Sequence, residues 1–227
     1  MKLSSTKLVI VTILSFAFNP LAAQDYNKGL AAYNDGNFLI AVEEWTPLAE
    51  KGDSYAQGHL GFMYRTGQGI PQDFAEAMKW YRFAAEQGDD YSQYDLGVMY
   101  ARGQGTTQDF AEAVKWYRLA AEQGNALAQS NLGFSYRNGQ GVFQNDAEAA
   151  KWYRLAAKQG IAMAQSNLGF MLANGLGVPQ DFIESAKWYR LAAEQGDWGA
   201  QVNLGIGYDL GRGGLQDNIM AHMWYNV

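Results

Sequence analysis

The chain has 227 residues, 48% of them hydrophobic and 14% aromatic, which is enough apolar material to bury a core and too much for a disordered segment. Lys and Arg number 17 against 23 Asp and Glu, a formal charge of −6, so no basic excess draws the chain to a phosphate backbone and nucleic acid is not an expected partner. Cysteine is absent and only His59 and His222 supply imidazole, which removes disulfides, thiolate metal sites, cysteine nucleophiles and most metallohydrolase chemistry.

The chain opens with Lys2 and Lys7 ahead of an apolar run over 8–18, followed by Pro20 and the small residues Ala22 and Ala23. That is the order of a secretory signal peptide over 1–23, with cleavage expected after Ala23 and a mature chain starting at Gln24. The apolar run falls well short of the ~20 residues that a helix needs to span a bilayer. An exported bacterial protein is therefore expected, periplasmic or secreted and not integral to a membrane. No Cys follows the run to carry a lipid anchor.

Beyond residue 24 the sequence repeats. Trp80, Trp116, Trp152, Trp188 and Trp224 share one spacing with Gly52, Gly88, Gly124, Gly160 and Gly196, a period of 36 residues. The units are a shorter one at 24–52, complete ones at 53–88, 89–124, 125–160 and 161–196, and a partial one at 197–227. Each reads as two helical stretches joined by a Gly-rich elbow. In the first stretch Leu60 and Tyr64 share a face, and Gly61 recurs as Gly97, Gly133, Gly169 and Gly205. Gly inside a helix costs ~1 kcal/mol relative to Ala, so this recurrence implies a helix crossing too close for a side chain.

The elbow Gly67-Gln68-Gly69 tolerates positive φ and stops the first helix. Asp73 with Glu76, repeated by Asp109 with Glu112, Asn145 with Glu148 and Asp181 with Glu184, predicts an N-cap with its capping-box partner. The second helix that starts there carries Ala77, Tyr81 and Ala84 as its seam, with Trp80 beside them. Its polar face offers the pairs Glu76 with Lys79 and Arg82 with Glu86. One hairpin cannot bury its own apolar face, so the units must stack into an elongated, curved all-α solenoid.

The string Ala-Gln-x-x-Leu-Gly-x-x-Tyr-x-x-Gly-x-Gly-x-x-Gln-Asp-x-x-Glu-Ala-x-Lys-Trp-Tyr-Arg-x-Ala-Ala-Glu-Gln-Gly, nearly complete at 92–124, closely resembles the Sel-one-like repeat (SLR) family, a relative of the tetratricopeptide repeats (TPR). The resemblance covers 53–227 strongly and 24–52 loosely, where Trp45 stands one position closer to the closing Gly52 than the other tryptophans stand to theirs. It implies an adaptor that holds a protein or peptide, without catalysis and without a cofactor. Some secreted members are disulfide-stapled and discussed as penicillin-binding or β-lactamase-like, which leaves a cell-wall enzyme as an alternative. This chain has no Cys, and its one Ser-x-x-Lys, Ser4 to Lys7, falls in the expected leader.

The elbow glycines precede no Gly-Lys-Ser/Thr and read as turns rather than a phosphate cradle, and the Trp-Tyr pairs read as packing. The candidate site is the face of the first helices, which line the concave surface in related solenoids. Helical geometry sets Tyr55, His59 and Phe62 on one stripe, followed by Tyr91, Asp95 and Val98; Leu127, Asn131 and Phe134; Met163, Asn167 and Phe170; and Gly199, Asn203 and Ile206. Asn donates and accepts at once, so Asn131, Asn167 and Asn203 could hold an extended segment; equally, these polar residues could bond within the solenoid. Arg65, Arg102 and Arg137, near the ends of the same helices, suit an acidic ligand or the helix C-termini themselves. His59 reads as a polar member of the Asp95 column and His222 has no ligating neighbour, so no metal site is expected. In the partial last unit Met220, Met223, Trp224 and Tyr225 would leave an apolar edge, expected to be a contact surface, including for a second copy in a structural envelope subunit, or the mark of a fragment.

Overall fold

The computed structural model describes residues 20–214 and 216–225, so the expected leader lies outside the described residues up to position 19. Among the described residues there are twelve helices and no strand. They pair in chain order as α1 (Pro20–Asn34) with α2 (Phe38–Glu50), α3 (Ser54–Thr66) with α4 (Phe74–Glu86), and α5 (Asp90–Arg102) with α6 (Phe110–Glu122). The series continues with α7 (Ala126–Asn138) and α8 (Asp146–Lys158), α9 (Ala162–Asn174) and α10 (Phe182–Glu194), and α11 (Trp198–Asp209) and α12 (Asn218–Tyr225).

Caps fix these boundaries. The side chains of Asp53, Asp89, Asn125 and Asp197 accept from the N–H three residues on and start the first helices. Four of those helices stop at Gly67, Gly103, Gly139 and Gly175, which take the left-handed conformation. Asp73 Oδ1 accepts from the N–H of Ala75 and Glu76 at 2.8 and 3.1 Å, and Asp109, Asn145 and Asp181 cap in the same way.

The reciprocal half of the capping box does not form. The N–H of Asp73, Asp109 and Asn145 donates to the carbonyls of Tyr64, Tyr100 and Tyr136, which the preceding helix end leaves open. Glu76, Glu112 and Glu148 are thereby released to pair with Lys79, Lys115 and Lys151 at 3.1, 2.6 and 3.5 Å. Arg82 likewise leaves Glu86 and donates to the Tyr100 hydroxyl of the next unit, as Arg118 does to Tyr136 at 2.7 Å and Arg190 to Tyr208. Leu172 replaces that tyrosine once, and there Arg154 binds Glu184 instead.

Each hairpin closes over the glycine in its first helix. A Cβ on Gly61 would stand 2.7 Å from the Tyr81 ring, one on Gly97 2.7 Å from Tyr117, and one on Gly133 or Gly169 2.9 Å from Tyr153 or Tyr189. Ala77, Tyr81 and Ala84 are buried as the seam requires, and Trp80 is half-buried. Trp45 belongs in this tyrosine column and not among the other tryptophans. It is fully buried, a Cβ on Gly29 would meet its ring at 2.4 Å, and α1 joins α2 through a short turn at Gly36 instead of the Gly-x-Gly elbow.

Stacking between units uses two further devices. The second elbow glycine lies against the start of the preceding second helix: a Cβ on Gly105 would be 2.4 Å from the Phe74 carbonyl oxygen, and one on Gly141 2.1 Å from that of Phe110. Buried glutamines supply the other. Gln57, Gln93, Gln129, Gln165 and Gln201 donate to the carbonyls of Ala49, Ala85, Ala121, Ala157 and Ala193 at the end of the preceding second helix. The first four also accept from Gln87, Gln123, Gln159 and Gln195 of their own units at 2.7–2.8 Å. First helices of neighbouring units touch, α3 with α5 and α9 with α11, which puts them on the inner, tighter side of the stack.

Candidate functional site

The inner face inherits one side-chain column from each position of the first helices. The column nearest their N-termini is open: Tyr55, Tyr91, Leu127 and Met163 are 66%, 70%, 45% and 52% exposed. Phe134 and Ile206 are exposed at the far end of the stripe, Phe62 and Phe170 half-buried. Val98 is buried and drops out of the expected surface, because it packs into the cluster around Tyr117.

The polar column between them is half-buried and turns inward. His59 stacks on Trp45, ring centroids 4.3 Å apart and 10° between planes, and its Nε2 shares a 2.8 Å hydrogen bond with the Tyr26 hydroxyl. Burial holds its pKa below the usual imidazole value. Asn131 lies against Tyr94 and Tyr117, Asn167 Oδ1 accepts from Arg137 at 3.1 Å, and Asn203 Nδ2 donates to the Gly199 carbonyl at 2.8 Å. The structure therefore brings the stripe together but divides it. The apolar column faces outward, while the polar column, Asn203 apart, reaches the preceding unit. Arg65 and Arg137 join these contacts, Arg65 at Asp95 of the next unit (3.9 Å) as well as the Tyr81 hydroxyl of its own (3.2 Å), and Arg137 over the Phe170 ring, whereas Arg102 occupies a different column and is exposed.

Asp95 is the charged member of the column. Burial raises its pKa, partly offset by Arg65 at 3.9 Å and a hydrogen bond with Tyr81. Since the folded pKa lies above the unfolded one, the associated stability is full at low pH and is lost as pH rises through the folded pKa. The ionised form is thus a cost at neutral pH. Asp95→Asn, which installs the residue found in three other units, should stabilise at pH 7 by roughly 1 kcal/mol or less, and the two melting curves should converge on acidification. A variant less stable at pH 7 would mean that the Arg65 pair outweighs desolvation.

Sequence reasoning missed a second exposed column, Phe83, Leu119, Leu155 and Leu191 on the second helices, although it repeats with the same period. At the last unit Ile219, Leu210 and Met223 are 83%, 57% and 45% exposed, while Met220 and Trp224 are half-buried; nothing is described of the Tyr225 side chain. Among the described residues no helix is long and apolar enough to cross a membrane.

Stacked helical hairpins presenting one row of side chains per unit define an α-solenoid repeat protein, a scaffold fold typical of protein–protein interaction. Residues 54–89, 90–125, 126–161, 162–197 and 198–226 each match the Sel1 repeat, and the chain belongs to the Sel1 repeat family. Among solved structures, a protective antigen of uropathogenic Escherichia coli with an SLR fold is 39% identical at a TM-score of 0.86 over 91% of this chain, which spans 45% of that protein. A Sel1 repeat protein from Oxalobacter formigenes is 34% identical at a TM-score of 0.83, covering 88% of this chain and 82% of that one. Immunity protein Pa5087 of Pseudomonas aeruginosa, 21% identical at a TM-score of 0.51 over 91% of this chain and 80% of its own, shares the fold alone. No curated protein matches the chain.

Proposed function

We propose that this protein is an exported bacterial scaffold that holds a segment of another protein along the inner face of α3, α5, α7 and α9 and performs no chemistry. One observation carries the reading: each complete unit exposes a large apolar side chain, Tyr55, Tyr91, Leu127 or Met163, at the same place on its inner helix. A row of such residues is what a soluble surface avoids unless something covers it. With the asparagines engaged inside the solenoid, contact falls to this apolar column, together with Phe134 and the unspent acceptors of Asn131 and Asn203. Export rests on the leader-like 1–23 segment. The cell-wall enzyme gains no support, since its only Ser-x-x-Lys lies within that segment.

Photo-crosslinking in the cell envelope tests the reading. A crosslinker at Tyr91, Leu127 or Met163 should capture one discrete protein, and Tyr55→Ala with Tyr91→Ala should reduce that capture about tenfold or more. Crosslinkers at Leu119 and Leu155 serve as the outer comparison. Equal or stronger capture from them would move the binding face to the second helices. Capture of the chain by itself through Ile219 or Met223 would favour the self-associating subunit, which the exposure of those residues supports as the second reading. Mass measurement of the cell-derived protein checks the start at Gln24.

A further inference from the structure

Two core positions are emptied in the last unit. Three of the four complete units carry Met63, Met99 or Met171, all buried, where the last has Gly207, and three carry Ile70, Val142 or Val178 against the core where it has Gly214. No backbone need explains either glycine, since neither takes a positive φ. A Cβ on Gly207 would meet only the Arg212 carbonyl at 3.7 Å, and one on Gly214 would meet nothing within 4 Å. The helix glycines Gly61 to Gly169 make room for a tyrosine ring, whereas these two leave their space unfilled. The result is a half-open cavity of about 350 Å³ bordered by α9, α10, α11 and the 212–214 turn.

Its chemistry is selective. Phe170, Phe182, Leu204 and Ile206 form apolar walls. Three neutral side chains spend donors elsewhere: Asn174 and Asn203 donate to the carbonyls of Phe170 and Gly199, and Ser185 to that of Gly169. The strong donors left are two guanidinium groups. Arg190 gives one N–H to the Tyr208 hydroxyl and keeps the rest of its fork, and Arg212 lies over the Phe182 ring, 5.3 Å from the centroid. Among the described residues no Asp or Glu lines the cavity, in a chain where acidic residues outnumber basic ones 23 to 17. The volume falls at the lower end of the range that holds small ligands, and an apolar chamber with a cationic rim calls for an amphipathic anion.

We propose that this cavity is a binding site for a small organic carboxylate with an aromatic or branched apolar body, the body lodged between Phe170, Phe182 and Leu204 and the carboxylate on Arg190 and Arg212. The site is separate from protein capture on the inner face, although Phe170, Asn203 and Ile206 border both, and it stands or falls independently of that reading.

Calorimetry on the purified chain with 3-phenylpropionate and with its neutral analogue 3-phenylpropanol supplies the test. Saturable one-to-one binding of the acid is expected, with the alcohol at least about tenfold weaker for want of the charge-assisted bonds. Gly207→Met, which restores the side chain of the other units, should abolish binding while keeping or raising the melting temperature. Arg190→Gln with Arg212→Gln should weaken binding at least about tenfold and leave melting nearly unchanged. No saturable binding up to roughly 5 mM, undiminished binding to Gly207→Met, or equal affinity for the alcohol would each overturn the assignment.

Discussion

Gly141→Ala should destabilise the protein by roughly 2–5 kcal/mol, several times the effect of Gly160→Ala. Both glycines hold positive φ, +74° and +91°, so both substitutions carry the left-handed strain of roughly 1–2 kcal/mol. Only Gly141 adds an overlap, because its Cβ would sit 2.1 Å from the Phe110 carbonyl oxygen and 2.4 Å from the carbonyl carbon, while a Cβ on Gly160 meets nothing within 4 Å. The obstacle at Gly141 is backbone at the start of α6, which cannot swing aside as a side chain can. Relief requires the 125–160 unit to shift away from the unit before it. In a stack where units contact only neighbours, that loss is local to one junction. Thermal unfolding should therefore broaden or split, with hydrogen exchange accelerating first around 105–145. Equal costs at Gly141 and Gly160 would show that the elbow gives way without parting the units.

The hairpins are legible in the sequence because local chemistry punctuates them: Asp73 as a cap, Gly67 as a left-handed stop, Gly61 as a close crossing. Each of these acts within a few residues or through a missing side chain, and each repeats. What the sequence conceals is which of several available partners a polar side chain takes. Glu76 has both the Asp73 N–H and Lys79 within reach by spacing, and the choice falls to the Tyr64 carbonyl, which claims that N–H first. Arg82 leaves Glu86 for a tyrosine hydroxyl in another unit, a distance of 18 residues that no helix rule anticipates. The candidate face shows the same division. Its position follows from helical periodicity, but the commitment of Asp95, Asn131 and Asn167 to neighbouring units depends on how hairpins stack. Trp45 looks displaced by one position only while it is compared with Trp80; its burial against Gly29 shows it standing in for Tyr81.

The glutamine chain carries the other large expected effect. Gln129 is 4% exposed, donates to the Ala121 carbonyl at 3.1 Å and accepts from Gln159 at 2.8 Å, so it ties the end of α6 to α7 and α7 to the end of α8. Gln129→Ala should cost roughly 2–4 kcal/mol, combining an internal void with two lost buried hydrogen bonds. Gln129→Met retains most of the volume and isolates the polar share, roughly 1–3 kcal/mol. Gln159 is exposed, so Gln159→Ala opens no internal void, but it gives up its bonds to the Gly124 carbonyl and to the buried Gln129 oxygen, and should cost roughly 1–2 kcal/mol, less than Gln129→Ala. Because amides do not titrate in the accessible range, the penalty at Gln129 should stay constant with pH, unlike the difference between Asp95 and its Asn variant. The same pair of bonds recurs at Gln93 and Gln165, so substitutions at 93 and 165, in junctions that do not touch, should add, whereas Gln129→Ala and Gln159→Ala should couple. Urea denaturation of the five single variants and the two doubles measures all of this. A Gln129→Met variant as stable as the parent would show that the α6, α7 and α8 contacts are held by apolar packing alone, and that the buried amides merely satisfy one another.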